Sequence, residues 1–541
     1  MQLCYDCSMF SEASKLPDNV AELKQVIVSL QSSLEEKEQQ HTTEIKILKE
    51  QVAFLRDKLF GTKSEKYPLD LNPPQLLLFD EPGDIASDQA TSPDEEIEVP
   101  AHKRKKPGRK PLPRELPRVE VIHDLKEEEK ICECGCQMSR IGKDESEKLD
   151  IIPAKVRVIH HIRYKYACKN CEGVESKTGA VKIAPAPEQL IPKSIATPGL
   201  LAYVLTSKFV DHLPFYRQEG QFKRIGVDLS RATMANWSIK VAERCNPLFS
   251  LLQSEILSGP LVNIDETTVQ VLKEPGRENT KKSYMWVFRG GPPEKPALIF
   301  QYHPTRSGQV PSDYLRDYKG YIQTDGYSGY NALGQKKDII HLGCWAHARR
   351  KFKEVQNAAK NIKKHNRKTG SADVALNYIR KLYAIENRSK SLHYTPDQIH
   401  KERQDKSRPI LDEFKKWLEK RSLQTPPKGL LGKAISYSLN EWGKLVRYLD
   451  DGLLKPDNNL AENAIRPFVV GRKNWLFSGS PKGAEASAVA YSLIETAKAN
   501  GFEPYRYLRC LFEKLPSAKT CDDYKTLLPQ YINRELLVGP E

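Results

Sequence analysis

The sequence predicts a multidomain α/β chain, and three observations carry the prediction. At roughly 150 residues per domain, its 541 residues make three or four folded units. Apolar residues keep steps of three and four near the N-terminus, alternate in short runs after Pro260, and return to helical steps from Ile410. Between the first two regions, paired cysteines bracket about 30 residues, the pattern of a small metal-stapled unit. Composition then narrows function. With 85 Lys+Arg against 70 Asp+Glu, the +15 net charge favours a polyanionic partner. No apolar run approaches the ~20 residues a membrane-spanning helix needs. The N-terminus lacks the basic and apolar regions of a cleaved signal. The eleven cysteines are odd in number and mostly far apart, which suits a reducing compartment. The expectation is a cytoplasmic, nucleoid-associated protein that meets nucleic acid and no membrane.

Residues 17–66 read as a coiled-coil helix. There is no proline from Asn19 to Lys66, and Val20, Leu23, Ile27, Leu30 and Leu34 alternate steps of three and four. Ile45, Leu48, Val52, Leu55 and Leu59 resume those steps after an eleven-residue gap, a stutter, with the polar Lys37 and His41 nearby. This helix is expected to project from the core and pair with its counterpart in a second subunit, giving a homo-oligomer. The alternative is an amphipathic helix folded onto its own chain. Residues 67–118 form a linker and an arm. Nine acidic residues and five prolines between Asp70 and Ala101, with no Lys or Arg, cannot bury a core. Then Lys103, Arg104, Lys105, Lys106, Arg109, Lys110, Arg114 and Arg118 reverse the charge. Such an extended basic arm lies along phosphates and gains affinity by counterion release. A solvated tail is the plainer reading.

Residues 119–185 read as a zinc-binding, ribbon-like domain. Cys132, Cys134 and Cys136 stand before an alternating stretch, Val156 to Tyr166, and Cys168 and Cys171 follow it. Thiolates at such knuckles hold tetrahedral zinc where a core is too small to fold alone. At most two of the first three bind, and His160 or His161 could substitute. The alternative is a degenerate ribbon without metal. Residues 186–258 read as a helical DNA-binding region. Ser230 caps a helix with Arg231 in its first turn, after a helix and a Gly226 turn, which is compatible with a helix-turn-helix.

From residue 259 the period becomes two. Leu261–Val271, Ser283–Arg289 and Ala297–Tyr302 are three linked strands, Gly320–Gly326 a fourth and Asp338–Gly343 a fifth. Three linked strands followed by strands separated by helices is the order of a ribonuclease-H-like core. Asp265 lies in the first strand and Asp325 ends the fourth, so side-by-side pairing lets them meet. Two carboxylates converging there want a cation, and hard oxygen ligands select magnesium or manganese. Both could instead be turn or capping residues. Glu462 is a third carboxylate, in a short helix that Asn458 or Asn459 could cap, with Arg466 one turn on. Arg472 and Lys473 suit phosphate contact, and Trp475 could stack on a base or belong to the core. The core thus runs over 259–358 and 453–500, interrupted by a helical insertion at 359–452 and followed by a C-terminal helical region at 501–541. Cys344 and His347 read as a core pair, with a local ligand pair as the alternative.

Phe60–Lys66 (FGTKSEK), Lys208–Pro214 (KFVDHLP), Ile264–Thr267 (IDET), Gly343–Phe352 (GCWAHARRKF), Glu462–Pro467 (ENAIRP) and Gly471–Trp475 (GRKNW) give the chain a specific likeness. In this order they resemble transposases of the insertion-sequence-sixty-six family. The resemblance implies an N-terminal zipper, a zinc-binding segment and a DDE catalytic domain whose acidic triad is matched by Asp265, Asp325 and Glu462. It also implies two-metal-ion cleavage and strand transfer on element ends and target DNA, with accessory proteins of the same element as further partners. Cys132 and Cys134 stand one residue closer than the family's first knuckle. The competing functions are a ribonuclease-H-like nuclease without transposition and a non-catalytic DNA-binding relative.

Overall fold

A computed structural model describes residues 19–60, 156–167, 181–362 and 370–537. The chain divides into two units, 84–185 and the remainder. The larger unit begins with α1 (Val20–Phe60), which matches the heptad run. Helix α1 does not project: it lies against helices of the C-terminal half of the chain through its second half. The side chains on that face, around Ile47, Glu50, Gln51 and Phe54, are half-buried. The heptad seam faces away, leaving Val20, Ile27, Leu30, Leu34, Ile45, Leu48, Val52 and Leu55 exposed. The helix therefore has two apolar faces, where the heptad reading marks one.

In the smaller unit, β1 (Lys165–Ala167) and β2 (Val181–Ile183) pair antiparallel, with Lys165 opposite Ile183. His160 and His161 precede β1 and are exposed. The acidic linker, the arm residues Lys103 to Lys110, and the five candidate zinc cysteines lie outside the described residues.

The larger unit resumes with α2 (Pro198–Phe209), α3 (Phe215–Arg224) and α4 (Arg231–Leu257). Their starts follow local chemistry. Thr197 Oγ1 accepts from Leu200 N and Ser230 Oγ from Thr233 N, each 3.2 Å, closing otherwise orphaned helix N–H groups. Helix α4 runs through Pro247, and its Cys245, Leu248, Leu252 and Ile256 join the apolar core of the sheet.

Strands β3 (Leu261–Val271), β4 (Lys282–Gly290) and β5 (Ala297–His303) form an antiparallel meander. After α5 (Gln309–Tyr314), β6 (Gly320–Gln323) and β7 (Ile339–Leu342) add in parallel on the other side of β3. The order is β5-β4-β3-β6-β7. Met285 to Phe288 of β4 are fully buried, so the sheet is covered on both faces.

Among the described residues there follow the α-helices α6 (Trp345–Ile362), α7 (Ser371–Ser391), α8 (Pro396–Glu402), α9 (Arg408–Ser422), α10 (Leu430–Asn440) and α11 (Trp442–Leu445). They enclose a second apolar cluster around Trp345, Phe352, Ile379 and Phe414. Helix α1 packs on α6 and α10. Buried Arg403 braces this bundle: it pairs with Glu386 at 2.7 Å and donates to the carbonyls of Tyr448, Asp451 and Leu454.

The chain returns to the sheet with α12 (Asn459–Trp475) and β8 (Phe477–Ser478), which pairs with β3. Helices α13 (Pro481–Ala499), α14 (Pro504–Lys514) and α15 (Cys521–Thr526) complete the unit. The free edge of β5 is covered by α13, because Leu298 N donates to Thr496 Oγ1 at 3.0 Å and Phe300 N to Ser492 Oγ at 2.8 Å. An edge strand covered this way offers no template for another chain. Among the described residues, no helix is long and apolar enough to cross a membrane.

Candidate active site

Three buried amides hold the site. In the parallel pairing of β3 and β6, Asn263 stands opposite Gln323. Asn263 Nδ2 donates to Gln323 Oε1 and to Asn458 Oδ1, both at 3.0 Å. Asn458 Nδ2 donates back to Ile264 O at 2.8 Å, and Gln323 Nε2 reaches Lys455 O at 2.8 Å. All three amides are at most 3 % exposed. They bolt two strands to the start of α12. Asp265 lies two residues beyond Asn263, Asp325 two beyond Gln323, and Glu462 four beyond Asn458, one helical turn.

The clamp uses Asn458, one of the two side chains expected to cap α12. Asn458 occupies the cap position but makes no side-chain cap bond. Asp457, fully buried, accepts instead from Asn459 N at 3.2 Å and from the Tyr383 hydroxyl at 2.8 Å. The clamp itself escaped sequence reasoning. Its signal was a polar residue inside each apolar run, Asn263 in LVNID and Gln323 in YIQTD. Asn263→Ala should cost roughly 1–3 kcal/mol for each amide left buried and unpaired, read as a lowered denaturation midpoint.

Burial and neighbouring charge raise the proton affinity of Asp265, Glu266 and Glu462. Burial pushes the Asp265 carboxyl well above the usual carboxylate range, and the charges of Glu266, Glu462 and Asp325 push it further. A bond from Glu266 N, at 2.9 Å, opposes this. Burial also raises Glu462, where Arg350 opposes and Asp457 and Asp325 add. Arg350 Nη2 lies 3.4 Å from Glu462 Oε2, and His347 Nδ1 lies 3.5 Å from Oε1. Asp325 Oδ1 accepts from Tyr327 N at 2.9 Å. Glu266 is raised by burial, but the Tyr330 hydroxyl and Arg306 hold it, and Arg306 stacks 3.7 Å from the Tyr327 ring centroid. Glu266, Arg306 and Tyr330 were also missed, since nothing local marks a pairing 40 or 64 residues away.

A stability consequence follows from these signs. The folded chain binds protons at Asp265 more tightly than the unfolded chain, so the carboxylate destabilises the fold increasingly as pH rises above its usual titration near ~4. His341 and His347, pushed down to about 3 by burial, act in the opposite sense at mildly acidic pH. A difference between variants removes them. Without divalent metal, Asp265→Asn should melt above the wild type, by a margin that grows from pH 5 to pH 8. A constant margin in scanning calorimetry would contradict this.

The predicted DNA contacts divide. Lys473 and Arg231 are exposed, Arg231 N being bonded by Glu219 Oε1 at 3.1 Å. Arg466 is partly buried one turn beyond Glu462 and weakly lowers its proton affinity. Arg472 is anchored on β3, where Nη1 donates to Thr267 and Thr268 hydroxyls at 3.2 and 3.0 Å. Trp475 packs edge-on against Phe468 at 5.3 Å, so its ring serves the core. Among the described residues, Cys344, His347 and Glu462 bring ligand atoms within 4.8 Å of one another.

Four family profiles match the chain. They are "Transposase IS66 family" over residues 193–486, "Transposase C of IS166 homeodomain" over 47–121, "zinc-finger binding domain of transposase IS66" over 129–172, and "IS66 C-terminal element" over 492–530. Uncharacterized protein y4jD of Sinorhizobium fredii is 32% identical over 506 residues, covering 89% of this chain and 94% of its own. Uncharacterized protein y4hP of the same organism is 30% identical over 476 residues, covering 84% and 83%.

Proposed function

Because this chain belongs to the IS66 family of transposases, we propose that Asp265, Asp325 and Glu462 form the site at which it cuts and joins DNA strands. The observation that carries the reading is that Asp265 feels the charges of both Glu462 and Asp325, although the three come from two adjacent strands and a helix start. The strand order, an antiparallel meander extended by two parallel strands, supports a ribonuclease-H-like core. The donors fit a divalent cation. All are hard carboxylate oxygens, the donor type that magnesium and manganese take. Bound magnesium or manganese would activate a water and stabilise the leaving 3′ oxygen; a DNA 3′-hydroxyl in the water's place gives strand transfer.

The protein's own residues do the positioning. The amide clamp fixes the spacing of the carboxylates, and Arg350 orients Glu462 through Oε2. Arg306, stacked on Tyr327 and held by Glu266, sets a cation beside Asp325 for a substrate phosphate. Lys473 and the basic arm from Lys103 to Lys110 add sequence-independent contacts. Cys168 and Cys171, with two of Cys132, Cys134 and Cys136, hold zinc in the segment matched by the zinc-finger profile.

The test uses the full chain, magnesium, and duplexes carrying the repeats that flank its reading frame. The proposal expects breaks with free 3′-hydroxyls at those repeats, followed by joining to a second duplex. Degradation without joining would make the protein a nuclease. Binding without breaks would make it a non-catalytic relative.

A further inference from the structure

The pair formed by Cys344 and His347 is left over by the strand-cutting reading. Cys344 precedes α6 and His347 lies in its first turn, three residues on, so both face the same side. The starts of α6 and α12 are tied together: Trp345 N donates to Pro456 O at 2.9 Å, and Asn458 N to Cys344 Sγ at 3.2 Å. Glu462, in the first turn of α12, thereby comes against the pair.

A helix-capping role explains these contacts poorly. The Cys344 sulfur accepts from the backbone of both Asn458 and His347, work that Ser, Thr, Asp or Asn does better than a thiol. Capping also leaves two polar atoms stranded. His347 Nδ1 and Glu462 Oε1 are both buried without a hydrogen-bond partner, 3.5 Å apart. The sulfur, the ring nitrogen and the carboxylate oxygen all lie within 4.8 Å of one another. Tetrahedral zinc, with bonds of about 2.0–2.3 Å, sets its ligands roughly 3.3–3.8 Å apart, so modest side-chain movement closes the site.

We propose that Cys344, His347 and Glu462 bind a zinc ion distinct from that of the cysteine ribbon and from the divalent cation of the carboxylate triad. The donor set makes the choice. Thiolate with imidazole selects zinc, whereas magnesium and calcium take oxygen. Backbone N–H groups directed at the sulfur are the outer-sphere support that a metal thiolate needs. Three protein ligands leave a fourth position open. The ion would satisfy both stranded atoms and fix the side chain of Glu462 through Oε1, so that Oε2, 3.4 Å from Arg350, is the oxygen left to the cation of the carboxylate triad. Two of its three ligands take no part in the proposed cleavage chemistry, so the site stands or falls separately from that reading.

Metal content tests it, not cleavage. Full-length protein, purified reduced, is loaded with zinc chloride, desalted, and its zinc counted by atomic emission. Cys344→Ser and His347→Gln should each lose one zinc per chain relative to wild type. A Cys168→Ser/Cys171→Ser chain, lacking ribbon ligands, should retain one, and cobalt(II) put in its place should show a single thiolate charge-transfer band. The proposal is overturned if the ribbon-deficient chain holds no metal, or if both site variants keep the wild-type count. The first of these readouts does not depend on the folding of either site variant.

Discussion

Asp265→Asn is expected to abolish strand cleavage while leaving DNA affinity unchanged. The substitution keeps the shape of the side chain and removes its charge, so a metal ligand is lost but no phosphate contact. Removing one member of a unit that acts together commonly costs about 10³-fold or more in turnover, and cleavage should fall by at least that. On the proposed reading, binding rests on Lys473, Arg231 and the basic arm, which the substitution does not touch. The same variant should melt higher than the wild type in a chelator, because the proton affinity of Asp265 is raised by burial and then by the charges of Glu266, Glu462 and Asp325. A gain in stability paired with a loss of activity marks a functional site. Cleavage within tenfold of wild type at saturating magnesium would remove Asp265 from the mechanism. A parallel loss of DNA affinity in filter binding would make it a positioning residue for the nucleic acid.

The strands and the site were legible to different depths. Alternation marked β3 to β7 because β-strands expose a period of two, and all five lie within the expected runs or one residue beyond them. The strands that carry Asp265 and Asp325 could be set side by side in advance, and the parallel register of β3 and β6 bears that placement out. Glu462 was read as the third member through resemblance, since no periodicity links residues 137 positions apart. The amide clamp was out of reach for the same reason: Asn263 meets Asn458 across 195 positions, and only the fold makes them neighbours. The Cys344 and His347 spacing was visible, but their third companion comes from another helix. A heptad count likewise finds one seam and is blind to a second face, which is why α1 was expected to project and instead lies on α6 and α10.

Those two faces of α1 allow assembly to be separated from folding. Leu30→Asp with Leu34→Asp is expected to dissociate the protein to its 61.6 kDa monomer. Both leucines are about 60 % exposed on the single chain, so the charges cost the monomer almost nothing. In a paired seam each leucine would contribute about 1.5–3 kcal/mol of burial, and a dimer loses four of them. The dissociation constant should therefore rise by at least about a thousandfold. Packing on α6 and α10 uses the face around Ile47 and Phe54, which the substitutions leave intact, so the melting temperature should hold. Cleavage of a single DNA end should survive, and coupled cleavage of two ends should be lost, if each proposed site acts on one strand at a time. Light scattering decides the matter. An unchanged mass for the double variant would show that the seam is not the contact between subunits, and a wild type that is already monomeric would remove the zipper from the mechanism.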